Sequence, residues 1–169
     1  MSPRRILIAG VGNVFLGDDG FGVEVVRRLM EVELPECVVV ADFGIRSFDL
    51  AYALIEEWEL IIIVDAARSG RAPGTLYWIE PDLADGAPNE VFYDGHTLHP
   101  AAVIEMARHY GDIVARVLLL ACEPLAITED QGMRLSSPVQ AAAHSAVEMI
   151  RELIVLRAQE QTTPAPQIV

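Results

Sequence analysis

The chain alternates between short unbroken apolar runs and longer stretches in which apolar residues recur at helical spacing. Residues 5–9 form an apolar, β-branched run that ends in glycines, which predicts a buried strand. Across residues 22–33, Val23, Val25, Val26, Leu29 and Met30 recur among Glu24, Arg27 and Arg28. That is a helix with one apolar face, and Pro35 stops it. Residues 37–41 (CVVVA) predict a second strand, and Ser47 can cap a helix over residues 48–58. Residues 60–64 (LIIIV) are the clearest central strand. After the turn signal Ala72-Pro73-Gly74, residues 75–79 (TLYWI) read as a further strand, with antiparallel pairing open to it. Pro100 suits the first position of a helix that runs to residue 110. Residues 114–121 (VARVLLLA) are another strand, and Ser136 and Ser137 cap a last helix over residues 138–159. The end, residues 161–169, carries Thr162, Thr163, Pro164 and Pro166 and is expected to be a disordered tail.

The order β-α-β-α-β-β-α-β-α predicts one α/β domain over residues 1–160. Its architecture would be a three-layer sandwich, a mostly parallel sheet with helices on both faces. In such sheets ligands bind beyond the carboxyl ends of the strands. The candidate chemistry is therefore sought where each strand empties into its loop.

Strand one empties into residues 10–22, GVGNVFLGDDGFG, whose glycines allow a tight turn and close backbone approach. Asp18 and Asp19 then stand at the N-terminus of the first helix, where the helix dipole favours a carboxylate. A single aspartate there would read as a cap; of two in tandem, one can cap while the other is free to bind. A dinucleotide fingerprint fits poorly, because Phe15 holds the third glycine position and two carboxylates would repel a pyrophosphate. Strand three ends in Asp65, a position open to a capping role as much as to a catalytic or metal-binding one. Strand two ends similarly in Asp42-Phe43-Gly44. His96 lies in a loop, Asp94-Gly95-His96-Thr97-Leu98-His99, that leads into a helix, and His99 can serve as that helix's cap. Asp19, Asp65 and His96 could meet at one edge, a mixed oxygen and nitrogen set suited to nickel or zinc with open positions.

Composition narrows the classes. The 169 residues are 52% hydrophobic and 22% charged, which is globular. A formal net charge of −13 disfavours a nucleic-acid partner and fits a metal cation or a basic peptide better. Cys37 and Cys122 form no C-x-x-C pair, and both read as small buried hydrophobes in a reducing compartment. Arg4 and Arg5 precede too short an apolar run for an export signal, and no stretch reaches membrane-spanning length. No H-E-x-x-H helix, G-x-S-x-G elbow or P-loop is present.

Residues 10–29, GVGNVFLGDDGFGVEVVRRL, closely resemble the opening of the hydrogenase maturation proteases. Asp42-Phe43-Gly44 is similar to that family's aspartate-glycine turn after strand two. Residues 60–75, LIIIVDAARSGRAPGT, are similar to its third strand, aspartate and P-G-T turn. His96 resembles its metal-binding histidine, and Glu123-Pro124 and residues 135–139, LSSPV, resemble its closing section. The resemblance covers roughly residues 4–156 and rests on the order and spacing of these motifs together. It implies a twisted five-stranded sheet between helices. It further implies an endopeptidase that removes a C-terminal peptide from the large-subunit precursor of a NiFe hydrogenase after nickel insertion. The family's metal ligands fall on Asp19, Asp65 and His96. Three points depart from the pattern: the first ligand is often glutamate, Phe43 stands where glycine is common, and His99 offers a neighbouring imidazole.

The expected function follows from this resemblance. Nickel carried by the precursor would dock at Asp19, Asp65 and His96, with zinc or cadmium able to replace it in vitro. Asp18 or Asp42 would be the general base. The same three residues would serve a non-catalytic nickel-binding chaperone. A peptidyl-tRNA hydrolase has a similar fold and loop, but the negative charge opposes tRNA. The expected partner is the precursor, with no nucleic acid and no membrane, and the expected location is the cytoplasm.

Overall fold

The computed structural model describes residues 5–83 and 99–160, the side chains of residues 158–160 excepted. The elements in order are β1 (Ile6–Val11), α1 (Phe21–Leu29), β2 (Val38–Gly44), α2 (Ser47–Leu54), β3 (Leu60–Ala66), β4 (Leu76–Ile79), α3 (Pro100–Arg108), β5 (Arg116–Cys122) and α4 (Ser137–Glu160). The five strands form one sheet in the order β2-β1-β3-β5-β4. All neighbours pair parallel except β4, which runs antiparallel to β5.

The unbroken apolar runs are explained by cover on both faces of the sheet. Ile6 and Ile8 of β1, Leu60, Ile62 and Val64 of β3, and Leu118 and Leu120 of β5 pack with α1 and α4. The alternate residues, Leu7 and Ala9, Ile61 and Ile63, and Val117 and Leu119, pack with α2 and α3. This period-two division makes two cores from one sheet. Each fully buried large aliphatic side chain contributes about 1.5–3 kcal/mol relative to exposure. Gly22 lets α1 press onto β1 and β3: a Cβ there would meet Val64 O at 2.0 Å and Val11 O at 2.4 Å.

The strands run further toward the carboxyl edge than their apolar runs suggest. β1 reaches Val11, β2 reaches Gly44 and β3 reaches Ala66. Asp42 pairs with Gly10, and Asp65 pairs with Ala121, so both aspartates are still inside the ladder. Backbone pairing holds these residues in the strands where side-chain character does not. Phe43 is the extra residue of a bulge, since Gly10 pairs with Asp42 and Val11 with Gly44. Its ring is buried in the core beneath α2 and α3, which is what a phenylalanine does in that turn.

The first three helices end earlier than expected, whereas α4 extends one residue beyond expectation at each end. Ser47 is the first residue of α2 rather than its cap, and no side chain caps it. α2 stops at Leu54, and the indole of Trp58 donates to Ala53 O at 2.8 Å across its end. Pro100 opens α3 as its composition requires, with His99 in the cap position but making no side-chain cap. Among the described residues no helix is long and apolar enough to cross a membrane. The expected tail, residues 161–169, lies outside the described residues.

Candidate active site

β1 and β3 are neighbours at the centre of the sheet, and their carboxyl ends bring two acidic side chains together. After β1 the chain turns at Gly12, whose φ of 125° is open to glycine and strained for other residues. A Cβ on Gly12 would stand 1.8 Å from the backbone oxygen of Asp19 and 3.8 Å from Asp65 Oδ1. The loop thus folds back until the 3-10 turn Asp18–Gly20 lies over the end of β3.

Asp19 is fully buried. Its Oδ2 accepts the Asn13 N–H at 2.7 Å, and its Oδ1 has no hydrogen-bond partner. Asp65 is 4% exposed, and its Oδ1 likewise has none. Burial raises the Asp19 carboxyl above the usual range, against the Asn13 N–H. Burial, and then the charge of Asp19, drive Asp65 well above it, against the Ala66 N–H. Two buried carboxylates that disfavour each other's charge, each with an unsatisfied oxygen, require a proton or a cation. The oxygen donors suit a divalent metal. Among the described residues no three His, Cys, Asp or Glu side chains are grouped to hold one. The third expected ligand, His96, lies outside the described residues, as does Asp94.

The tandem aspartates have separate tasks. Asp18 is fully buried, and both its oxygens are occupied. Oδ1 accepts Ser136 N–H at 2.6 Å; Oδ2 accepts Leu125 N–H at 2.8 Å, Ala126 N–H at 3.1 Å and the Ser136 hydroxyl at 2.8 Å. These bonds tie the β1–α1 loop to the β5–α4 loop. Asp18, one of the two expected candidates for a general base, is thus fully buried and engaged in four hydrogen bonds that hold these loops together. The Ser136 hydroxyl, expected as a helix cap, is spent on this tie, and Ser136 contributes its carbonyl to the Gln140 N–H instead. Asp42 sits across β1 from Val64, the residue before Asp65. Its Oδ2 is 3.7 Å from Arg27, and its backbone oxygen accepts from the Arg46 guanidinium.

The sequence reading passed over Glu123 as a builder of this edge. It follows the apolar β5 just as Asp65 closes β3, and that parallel was the available signal. Its Oε2 accepts both the N–H and the hydroxyl of Ser69 at 2.7 Å. Burial pushes its carboxyl up, but the Ser69 hydroxyl and the N–H groups of Ser69, Arg71 and Gly70 outweigh this and hold it below its ordinary range. The loop after Asp65 is thereby fixed. Cys122 is buried and its thiol is pushed up to about 12, first by burial and then by Asp18 and Glu123. It stays protonated and is no nucleophile.

Comparison with known proteins bears on the family and the fold. The model of the HycI hydrogenase maturation protease family matches residues 23–153. The chain is 34% identical over 153 residues to the hydrogenase expression/formation protein HupD of Rhodobacter capsulatus, covering 89% of this chain and 72% of that protein. It superposes on the hydrogenase maturating endopeptidase HybD of E. coli with a TM-score of 0.72 and 25% identity, over 92% of this chain and 93% of that one. On the hydrogenase 2 maturation peptidase of a Thaumarchaeota archaeon the TM-score is 0.65 and the identity 29%, over 89% and 98% of the two chains.

Proposed function

This chain belongs to the hydrogenase maturation protease family, and on that premise we propose that it removes the C-terminal extension of a NiFe-hydrogenase large-subunit precursor after nickel insertion. The observation that carries this reading is the pair of orphaned buried oxygens, Asp19 Oδ1 and Asp65 Oδ1, at one strand edge. What sets these two oxygens apart is that they belong to two carboxyl groups buried at one strand edge, where an unpaired charge is costly and a proton or a cation relieves it. The nickel of the precursor is that cation, held by Asp19, Asp65 and His96, with zinc or cadmium able to stand in for it. A divalent cation there supplies recognition and can polarise a scissile carbonyl or a water.

The rest of the work falls to the chain. Asn13 fixes one oxygen of Asp19, so that the other is turned to the ligand. Asp18 locks the loop that carries Asp19. Asp42 remains as the candidate base, half-buried on β2, with one oxygen drawn to Arg27 and the other, Oδ1, available to take a proton from water. This is aspartate-dependent hydrolysis without a covalent nucleophile. The setting is cytoplasmic, in keeping with the free thiols and with the absence of a membrane-crossing helix among the described residues.

Mass spectrometry of a large-subunit precursor, incubated with this protein with and without nickel loaded, tests the proposal. Loss of a short C-terminal peptide from the nickel-loaded form alone is the expected result. A stable complex with an intact precursor in both forms would instead make the protein a nickel-binding chaperone.

A further inference from the structure

The net charge of −13 suggests a basic partner, but the charge is unevenly placed. The loops at the amino edge of the sheet, residues 30–37, 55–59 and 109–115, contain no lysine or arginine, and they expose Glu31, Glu33, Glu36, Glu56, Glu57 and Asp112. At the carboxyl edge, where Asp19 and Asp65 lie, the described loops expose Arg46, Arg68, Arg71 and Arg134. Asp49, which pairs with Arg46 at 3.4 Å, Glu129 and Asp130 are the exposed acids there, since Asp18, Asp19 and Glu123 are buried.

The same edge carries large apolar side chains in the open. Phe15 is 63% exposed, Ile45 63% and Met133 61%, and Phe48 in the first turn of α2 and Leu125 in the β5–α4 loop are exposed as well. Other exposed apolar residues, such as Met30, Val114 and Leu156, lie away from this edge. The edge loops are joined to one another. Gly12 N–H donates to Gly44 O at 3.0 Å, Gly17 N–H to Gly132 O at 3.1 Å, and Thr128 N–H to Leu16 O at 3.2 Å. With the Asp18 bonds they make one fixed rim around the buried carboxylates. Apolar anchors among arginines are the composition of a protein-binding surface.

We infer that this rim docks the body of the precursor, through a surface patch on that protein that is apolar and ringed by acidic residues. This inference rests on the peptidase reading above and adds what the site grips besides the cleaved tail. An acidic partner is repelled by the glutamate-rich edge and meets its least unfavourable approach at the arginine rim, so charge orients the encounter. The metal-loaded tail then lies over Asp19 and Asp65 while Phe15 and Met133 are covered.

The test uses the full chain and purified nickel-loaded precursor, with F15S, M133S and R134E, none of which touches the carboxylates. Thermal melts confirm that each variant is folded. R134E is expected to raise KM for cleavage about tenfold at low salt with kcat unchanged, and the gap should close as salt rises through the range where the Debye length falls below about 8 Å. F15S and M133S are expected to raise KM at every salt concentration. A wild-type KM for all three variants overturns the inference, as does a lower KM for R134E, which would mark a basic partner. Light scattering that finds a dimer dispersed by M133S would give the rim to a second copy and also overturn it. Calorimetric binding of precursor separates the two readings. If the wild type binds but releases no peptide, the peptidase reading fails, and the variants' binding constants alone decide the rim. If the wild type cleaves and the variants match it, only the docking inference fails.

Discussion

Asp18 and Asp19 carry the same side chain one residue apart, and the fold assigns them opposite work. Their tandem position showed that one could serve structure and the other binding. Which is which depended on Leu125, Ala126 and Ser136, more than a hundred residues away, so no local pattern could hold it. Asp18→Ala strands four donors that now end on its oxygens, a loss of about 3 kcal/mol or more. Asp18→Asn fares little better, since either orientation of the amide turns an NH2 toward a donor. Both variants should melt about 6–12 °C below the wild type, and an unchanged melt would mean the bonds are dispensable. Asp65 behaves in the reverse sense. Its carboxyl is raised above its ordinary value of 3.8, so its ionisation opposes folding. That cost is absent below the ordinary value and grows as pH rises through the folded one. Metal-free Asp65→Asn should therefore melt higher than the wild type at neutral pH, with the difference fading as pH falls toward the ordinary value, while cleavage is lost. Full cleavage by this variant would falsify the role given to Asp65.

At the scale of elements, the five strands and four helices were legible because both faces of the sheet are covered, and the apolar runs 60–64 and 117–121 are buried as such cover requires. The ends were not legible. β2 and β3 continue through Asp42 and Asp65 because parallel pairing carries on where hydrophobicity stops. The bulge at Phe43 depends on its register against Gly10 and Val11, which a single strand's sequence does not contain. Glu123 shows how such an end becomes functional: its carboxylate holds the β3–β4 loop through Ser69. Because its folded value lies below the ordinary 4.5, it contributes stability that is present above that value and lost as pH falls through the folded one. Glu123→Gln should unfold at lower denaturant than the wild type at pH 7, and the two midpoints should converge in acid. Midpoints separated by the same amount at every pH would show that charge is not the cause.

For the molecule as a whole, the site is a seam between parts that are distant in sequence: the β1–α1 loop supplies Asp19, β3 supplies Asp65, and the β5–α4 loop clamps the first of these. A cation bound across the seam should thus stabilise the entire fold rather than one loop. At a metal concentration of about a hundred times Kd the gain is ~2.7 kcal/mol, or a rise in melting temperature of about 5–10 °C for a chain of this size. Nickel, zinc and cadmium should each produce it in the protein alone. Asp19→Asn and Asp65→Asn should abolish it, and His96→Ala should weaken it. Both carboxyls are raised and must release their protons to bind, so the gain should increase with pH across the acid range, whereas a metal held by surface carboxylates already ionised would show no such rise. Differential scanning fluorimetry over a pH series distinguishes the outcomes. A metal-induced shift that survives in Asp65→Asn would locate the cation elsewhere. No shift in the wild type at saturating metal would mean that the two carboxylates bind the cation only when the precursor brings ligands of its own.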